Sequence, residues 1–350
     1  MLKNGSLFLF LIFVSACNSI DQQSALSYVT IEGPTMGTAY RITYADSLDR
    51  DLQADIENLL SEINQEVSTY IDSSTISRFN QSETGIYLGY VMDTDDPPES
   101  NRHFLANFVT ARSVYKTSGG AFDPTVMPLV NYWGFGYAEK KAHTGNDTLV
   151  IDSLMGFIGF DRVTLQNDTL RKSDPGVQLD FSAIAKGYAV DAAGRLLEGK
   201  GIRHYLVDIG GEIRAKGKNA KGNIWKIGIN IPEETASLTA IQTALPLDNR
   251  SVATSGNYRN FYEVDGVKYS HTISPKTGFP ERNTLLSASV FAAECMIADA
   301  YATAFMVMGV DSAYELANRL PGIEAYFIYS LEAGLMDVKY TDGLENMLTK

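Results

Sequence analysis

Cysteine is nearly absent. The 350 residues contain two, Cys17 and Cys295, which excludes a disulfide scaffold. Basic residues are in deficit, 29 against 42 acidic, and the formal net charge is −13. A surface of that sign repels a phosphate backbone, which argues against nucleic acid as a partner. A small anion held by a local cation or a metal stays compatible with it. There are four histidines and no HxxxH or Cys/His spacing, so zinc has no ligand set. The Gly-x-Ser-x-Gly elbow and the P-loop are both missing, and with them support for a lipase-type hydrolase or a Walker nucleotide site. No internal repeat, low-complexity segment or composition break is present. What remains is a 45% hydrophobic, 20% charged chain, ordinary for a globular protein and incompatible with wholesale disorder. Length alone gives a prior of about two domains.

Long apolar runs are lacking too, apart from one at the N-terminus. Residues 7–14 read LFLFLIFV, and Ser15 and Ala16 extend the run to ten. A bilayer span needs about 20. Behind Lys3, the run fits a signal-peptide core before a small-residue cleavage site. Residues 14–17, VSAC, resemble a bacterial lipobox, in which Cys17 is acylated and becomes the new N-terminus. The plainer alternative is an ordinary signal peptide with a coincidental cysteine. We expect residues 1–16 to be a lipoprotein signal peptide and 17–27 a tether from lipidated Cys17. Several acyl chains would make that anchor stable, since one chain is marginal. Residues 28–350 are then the working domain.

Within it, 28–31 and 39–44 read as strands around the turn 33–37. Leu48, Leu52, Ile56, Leu59, Leu60, Ile63 and Val67 recur at helical spacing, predicting a helix over 48–66. A short helix is expected at 74–80, a polar loop at 91–101, and a helix marked by Phe104, Phe108, Ala111 and Tyr115 that ends at Gly119-Gly120. Beyond 160, strands are expected at 161–165, 177–181, 203–208, 224–231, 238–245, 267–273, 285–292 and 323–329. Helices are expected at 184–198, 294–308 and 311–319. Without a regular βαβ rhythm this is α+β, with a mixed or antiparallel sheet and flanking helices.

Three segments carry chemistry. Residues 179–188, LDFSAIAKGY, deliver Asp180 from an apolar strand into a small-residue turn and an Ala-rich helix. Ser182 is placed as an N-cap, and a helix N-terminus offers free N–H groups to an anion. Lys186 in the first turn is disfavoured by the helix dipole unless it faces an anion, so a phosphate site competes with a plain strand–turn–helix and a solvated lysine. Asp299 and Thr303, four apart in a small and apolar helix, share a face. A buried Asp is paired or binds a cation. Carboxylate plus hydroxyl is a hard oxygen pair suited to Mg²⁺; the alternative has Asp299 on a backbone amide and Thr303 on its own helix. His271 is brought to a sheet rim by the Pro/Gly turn after it, though a lone His is more often structural. The other histidines, His103, His143 and His204, fall in polar or irregular surroundings. Cys295 reads as a buried small thiol. Tyr132, Trp133, Phe135 and Tyr137 could stack on a ring but default to core. The glycine pairs at 119–120 and 210–211 allow close backbone approach to a ligand.

Taken in order, these segments resemble the ApbE family, the FAD:protein FMN transferases. Residues 33–38 (GPTMGT) look like the family's opening Met-Gly-Thr motif. Residues 68–70 (STY) with 74–80 resemble its Ser-x-Tyr segment and the Ser…Asn stretch that follows. The run 120–125 (GAFDPT), the 180–187 turn, Gly210-Gly211, the 271–278 strand end and the 298–304 helix are similar in turn. The resemblance implies FAD in an elongated cleft between two halves of the domain, touched by Met36, Tyr70, Ala121, Phe122, Asp123, Asp180, Lys186 and His271. It implies Mg²⁺ held by the backbone carbonyl of Ala183 and the side chains of Asp299 and Thr303. It also implies the reaction: FMN is joined to a Thr hydroxyl of a partner by a phosphoester bond and AMP is released. Typical partners are flavoprotein subunits of membrane redox complexes with a Ser/Thr-Gly-Ala-Thr type motif. Lys186 would stabilise developing charge, and His271 or Asp180 would serve as base. Tyr70 is an aromatic able to cover the flavin, expected to favour transfer over loss of product to water. Ser274 departs from the family, which commonly has Asp before the Pro. FAD pyrophosphatase activity, or a non-catalytic FAD-binding lipoprotein, are the alternatives.

Overall fold

The structure is a computed structural model that describes residues 26–89, 101–137, 148–230, 241–257, 261–264, 267–331 and 335–348. Cys17, the signal peptide, the tether up to residue 25, His143 and residues 91–100 of the polar loop lie outside the described residues. Along the chain run β1 (Ser27–Thr35), β2 (Thr38–Asp46), α1 (Gln53–Val67), α2 (Thr75–Gln81), β3 (Gly85–Tyr87), α3 (Arg102–Thr117), α4 (Met127–Tyr132) and α5 (Thr148–Met155). Then come β4 (Val163–Gln166), β5 (Thr169–Lys172), α6 (Ala185–Gly199), β6 (Tyr205–Ile209), β7 (Glu212–Lys216), β8 (Trp225–Asn230), β9 (Ile241–Leu247) and β10 (Arg250–Gly256). The last are β11 (Phe261–Val264), β12 (Val267–Ser270), β13 (Leu285–Ala292), α7 (Cys295–Met308), α8 (Val310–Arg319), β14 (Glu324–Ser330), β15 (Met336–Tyr340) and α9 (Asp342–Leu348).

Eight strands form one sheet in the order β1-β2-β6-β7-β10-β13-β14-β15, with every neighbouring pair antiparallel. The α+β expectation stands, in its antiparallel form. β6 alternates buried and half-buried positions, as a sheet with two unlike faces requires. One face packs on α6 and α7, which α1 and α3 cover in turn. The opposite face is closed by the β8–β9 ribbon and α9, through Ile227, Ile229, Leu245, Leu247 and Leu344. A smaller cluster, Leu129, Trp133, Ile151 and Ile273, joins α4 and α5 to the chain beyond β12.

α6 and α7 are tied end to end. Asp191 of α6 accepts the N–H of Met296 at 2.9 Å, a cap supplied from a neighbouring helix because Glu294 makes no side-chain cap. Arg214 pairs with the same carboxylate at 2.8 Å, which satisfies a charge buried at 0% exposure. The helices meet at Gly187, where a Cβ would lie 2.5 Å from the Cys295 carbonyl. Cys295 is buried and free, as expected.

Several expectations are corrected. Residues 177–181 belong to no strand. Their backbone bonds go to the Asn80 side chain, which donates to Leu179 O at 2.8 Å and accepts from Leu179 N at 2.7 Å, and to Pro124 O, which accepts from Asp180 N at 2.7 Å. An apolar run thus mimics a strand while a side chain replaces the ladder. α1 starts at residue 53 rather than 48, because the Asp46 carboxylate takes the N–H groups of Leu48 and Arg50 and turns the chain there. Ser182 does not cap α6: its N and Oγ both donate to Asp180 Oδ1, and the cap position is Ile184. His103 keeps the polar neighbours expected of it, with Arg102 Nε 3.3 Å and Glu62 Oε2 3.9 Å from its Nε2, but it is not on the surface. It is buried in α3, with Nδ1 2.8 Å from the Tyr188 hydroxyl.

Candidate active site

Two clefts meet at the start of α6. The first, of about 1060 Å³, is lined by Tyr70, Ala121, Phe122, Asp123, Asp180, Ala183, Lys186, His271, Asp299 and Thr303. The second, of about 800 Å³, is lined by Met36, Tyr70, Ser182, Lys186 and the α1 residues Glu57, Ser61 and Asn64. Tyr70, Ser182 and Lys186 belong to both and form the ridge between them. All the site residues expected from sequence are therefore brought together except Cys17, with Met36 on the far side of the ridge from His271.

Local chain rules explain the delivery of each. Met36 occupies the β1–β2 hairpin turn with φ +49°, a left-handed conformation uncommon for a residue with a Cβ. The two-residue turn it shares with Gly37 (φ +71°) requires that sign at both positions. Tyr70 follows α1 and is 70% exposed, an aromatic ring standing over the ridge rather than packed in a core. Asp123 opens a single 3₁₀ turn, with Oδ1 accepting Thr125 N at 2.8 Å and Thr125 Oγ1 at 2.6 Å. Gly210 (φ +65°) and Gly211 (φ +100°) form the two-residue turn joining β6 and β7, where both central residues need positive φ. His271 follows β12, its ring 6.4 Å from that of Phe135. Among the aromatics that defaulted to core, Trp133 is buried and Phe135 lines the cleft.

Lys186 does not stand free in the first turn of α6. Its Nζ is 3.1 Å from Glu212 Oε1. Burial alone would lower its pKa, but the carboxylates of Asp299 and Glu212 hold the ammonium well above its usual range. Burial pushes the Glu212 carboxyl up, against the pull of Lys186. Glu212 Oε2 is buried with no hydrogen-bond partner. Burial also raises Asp180, against two Ser182 hydrogen bonds and the Lys186 charge, and pushes Asp123 up to about 6 against its bonds from Thr125. Glu212 is the residue that sequence reasoning missed. The signal was present in a carboxylate directly after Gly210-Gly211, at the start of a strand.

Asp299 Oδ2 accepts the N–H of Gly187 at 3.0 Å, and Thr303 Oγ1 lies 3.4 Å from Ser255 Oγ. The backbone-amide alternative thus holds for one carboxylate oxygen. Thr303 bonds across to β10, not to its own helix. Both line the first cleft with Ala183. Five carboxylates (Asp123, Asp180, Asp208, Glu212 and Asp299) face one lysine there. A polyanion cannot enter such a cleft without further positive charge. Together with the orphaned Glu212 oxygen and a set of hard oxygen donors, that charge imbalance fits a divalent cation such as Mg²⁺. Among the described residues no group of three or more His, Cys, Asp or Glu side chains is placed to hold a metal.

Known proteins share this architecture. The "FAD:protein FMN transferase" of Vibrio cholerae serotype O1 is 37% identical over 319 residues, covering 89% of this chain and 90% of its own. The "FAD:protein FMN transferase" of Haemophilus influenzae is 35% identical, covering 90% of each. The solved structure "Flavin Transferase ApbE from Vibrio cholerae" superposes with a TM-score of 0.81 at 34% identity, over 92% of this chain and 100% of that one. The model of the ApbE family matches residues 36–327, and with these relatives across most of its length the chain belongs to the ApbE family.

Proposed function

We propose that this protein transfers FMN from FAD to a threonine hydroxyl of a target protein, releasing AMP. The observation that carries the reading is the ridge of Tyr70, Ser182 and Lys186 shared by two clefts. A dinucleotide has two ring systems joined by a pyrophosphate. Its ends fill the two clefts, with Met36 at one and Ala121 to Asp123 and His271 at the other, and its phosphates cross the ridge beside Lys186. Membership of a family whose relatives are named FAD:protein FMN transferase supports the same substrate.

Asp299, Thr303 and the Ala183 carbonyl would hold Mg²⁺, which when bound supplies charge neutralisation for the pyrophosphate and the leaving phosphate. Lys186 binds the phosphates, and Glu212 fixes its ammonium. The threonine oxygen forms a bond to the FMN phosphorus as the bond to the AMP oxygen breaks. AMP leaves with that electron pair, and the hydroxyl proton passes to a base. Asp180 would take that role: it lines the first cleft together with Tyr70 and Lys186, and burial raises its basicity. His271 stands beside Phe135 and orients one end of the dinucleotide. Tyr70, exposed over the ridge, shields the phosphorus from water, the competing nucleophile.

The partner is a flavoprotein subunit of a membrane redox complex carrying a Ser/Thr-Gly-Ala-Thr type motif. The enzyme reaches it as an exported lipoprotein held by acylated Cys17 on a membrane facing the periplasm or the outside. Support for the anchor is the 7–17 run itself. Cys17→Ser is expected to release the protein from membranes, and a membrane-bound variant would contradict the anchor. The catalytic reading is tested by AMP release from FAD with acceptor, with and without Mg²⁺. Release only with Mg²⁺, and none from Lys186→Met, is expected; metal-independent release would overturn the assignment of the oxygen ligands.

A further inference from the structure

Among the described residues, one buried cation has no part in the reaction as described. Lys172 ends β5, is 8% exposed, and its Nζ donates to the backbone carbonyls of Asn80, Pro175 and Val177 at 3.1 Å each. An ammonium has three donors, so all are spent. The Phe79 ring lies 5.1 Å from Nζ, a cation–π contact. Asn80 is in the last turn of α2, where carbonyls are orphaned and a cation is favoured. The other two carbonyls come from the loop leading to the active site. Burial pulls the Lys172 ammonium below its ordinary range, with Asp174 opposing. An apolar side chain would pack here without the desolvation of a buried charge.

That charge stands at the root of Asp180. Past Val177 the chain has no strand neighbour. It is held at Leu179 by the Asn80 side chain in both directions and at Asp180 by the Pro124 carbonyl. Lys172 and Asn80 therefore both hold one short segment that belongs to no strand, and that segment leads into Asp180, which lines the first cleft.

We propose that Lys172 is a positioning residue: its ammonium is a built-in cation that ties residues 175–177 to the end of α2 and so fixes Asp180 and the turn entering α6. The inference rests on Asp180 as the proton acceptor described above. Lys172→Met keeps the volume and removes the charge. Its kcat for AMP release is expected to fall by about tenfold or more while the KM for FAD changes little. Lys172→Ala lacks the atoms of a propylammonium ion. Adding propylammonium is expected to restore most of the lost kcat, and 1-propanol of similar size is not. Hydrogen–deuterium exchange over 175–181 reads the tie with no substrate present: faster in both variants, and slowed again by the amine in Lys172→Ala.

Parental kcat in folded Lys172→Met, a rise in KM alone, or exchange that the charge does not affect would each overturn the proposal. Should Lys172→Met not fold, Lys172→Ala is prepared in propylammonium and the amine diluted away. kcat is then expected to drop before the far-ultraviolet signal does, and activity lost only together with the fold would overturn it. If the unaltered protein releases no AMP, the assigned chemistry fails, and the exchange experiment still decides whether Lys172 holds the segment.

Discussion

Asp299 accepts the backbone N–H of Gly187 at 3.0 Å, so a carboxylate on α7 closes the N-terminus of α6. The return contact runs from Met296 N on α7 to Asp191 on α6 at 2.9 Å. Two helices thus cap each other, and the side chains proposed for the phosphates and the cation, Lys186 and Asp299, sit on helices joined by this pair of contacts. The close approach is possible because residue 187 has no Cβ.

Gly187→Ala tests that approach. The added Cβ meets the Cys295 carbonyl at 2.5 Å, which is backbone and cannot swing aside. The variant is expected to lose about 1–3 kcal/mol of stability in denaturant titration, as overpacking does. Its AMP release is expected to fall more than stability explains, because Lys186 and Asp299 separate. Unchanged stability would show that the helices are not in contact there.

Asp299→Asn keeps an acceptor for the Gly187 amide and removes the charge. Folding should be retained, while the Mg²⁺ needed for half-maximal AMP release is expected to rise by more than about tenfold, 1.4 kcal/mol. A magnesium titration of both proteins gives the answer. An unchanged midpoint would remove Asp299 from the cation site.

Asp123 has a pH signature. Burial raises its folded pKa to about 6, above the unfolded carboxylate range. Its ionised form therefore destabilises the fold: the penalty is absent below about pH 4, grows through the interval, and is complete above about pH 6. Asp123→Asn keeps the oxygen that accepts from Thr125. Relative to the parent it is expected to be stabilised by on the order of 2 kcal/mol at pH 7.5, with the gain gone at pH 4. Thermal melts across that range decide it, and a gain independent of pH would show that the carboxyl does not titrate there.

Tyr70→Ala opens the ridge to water. FAD hydrolysis without acceptor is expected to rise several-fold while transfer to acceptor falls. AMP and acceptor-bound flavin, measured in the same reaction, separate the two. A parallel fall in both would make Tyr70 a binding residue only.

The helical parts of the site were legible because their signals are local. The Asp299–Thr303 spacing, the small-residue turn before Lys186 and the apolar stripe Ile56, Leu60, Ile63 of α1 need no distant partner to be read. The departures share the opposite property. Asn80 supplies the ladder bonds of Leu179 from 99 residues away, so an apolar run looked like a strand. β7 reads EIRAK, and its charges belong to a network in which Arg214 meets Asp191 and Lys186 meets Glu212. The burial of His103 was not legible, because its partner Tyr188 sits on another helix. Glu212 and Lys172 acquire meaning only once long-range packing brings their partners to them.

The central claim is that flavin leaves FAD as FMN and arrives on a protein threonine. The most direct measurement is the intact mass of an acceptor domain bearing a Ser/Thr-Gly-Ala-Thr motif, after incubation with this protein, FAD and Mg²⁺, alongside the AMP released. One FMN per acceptor is predicted, matched by one AMP and abolished when the motif threonine is replaced by alanine. AMP produced with no flavin on the acceptor would contradict it.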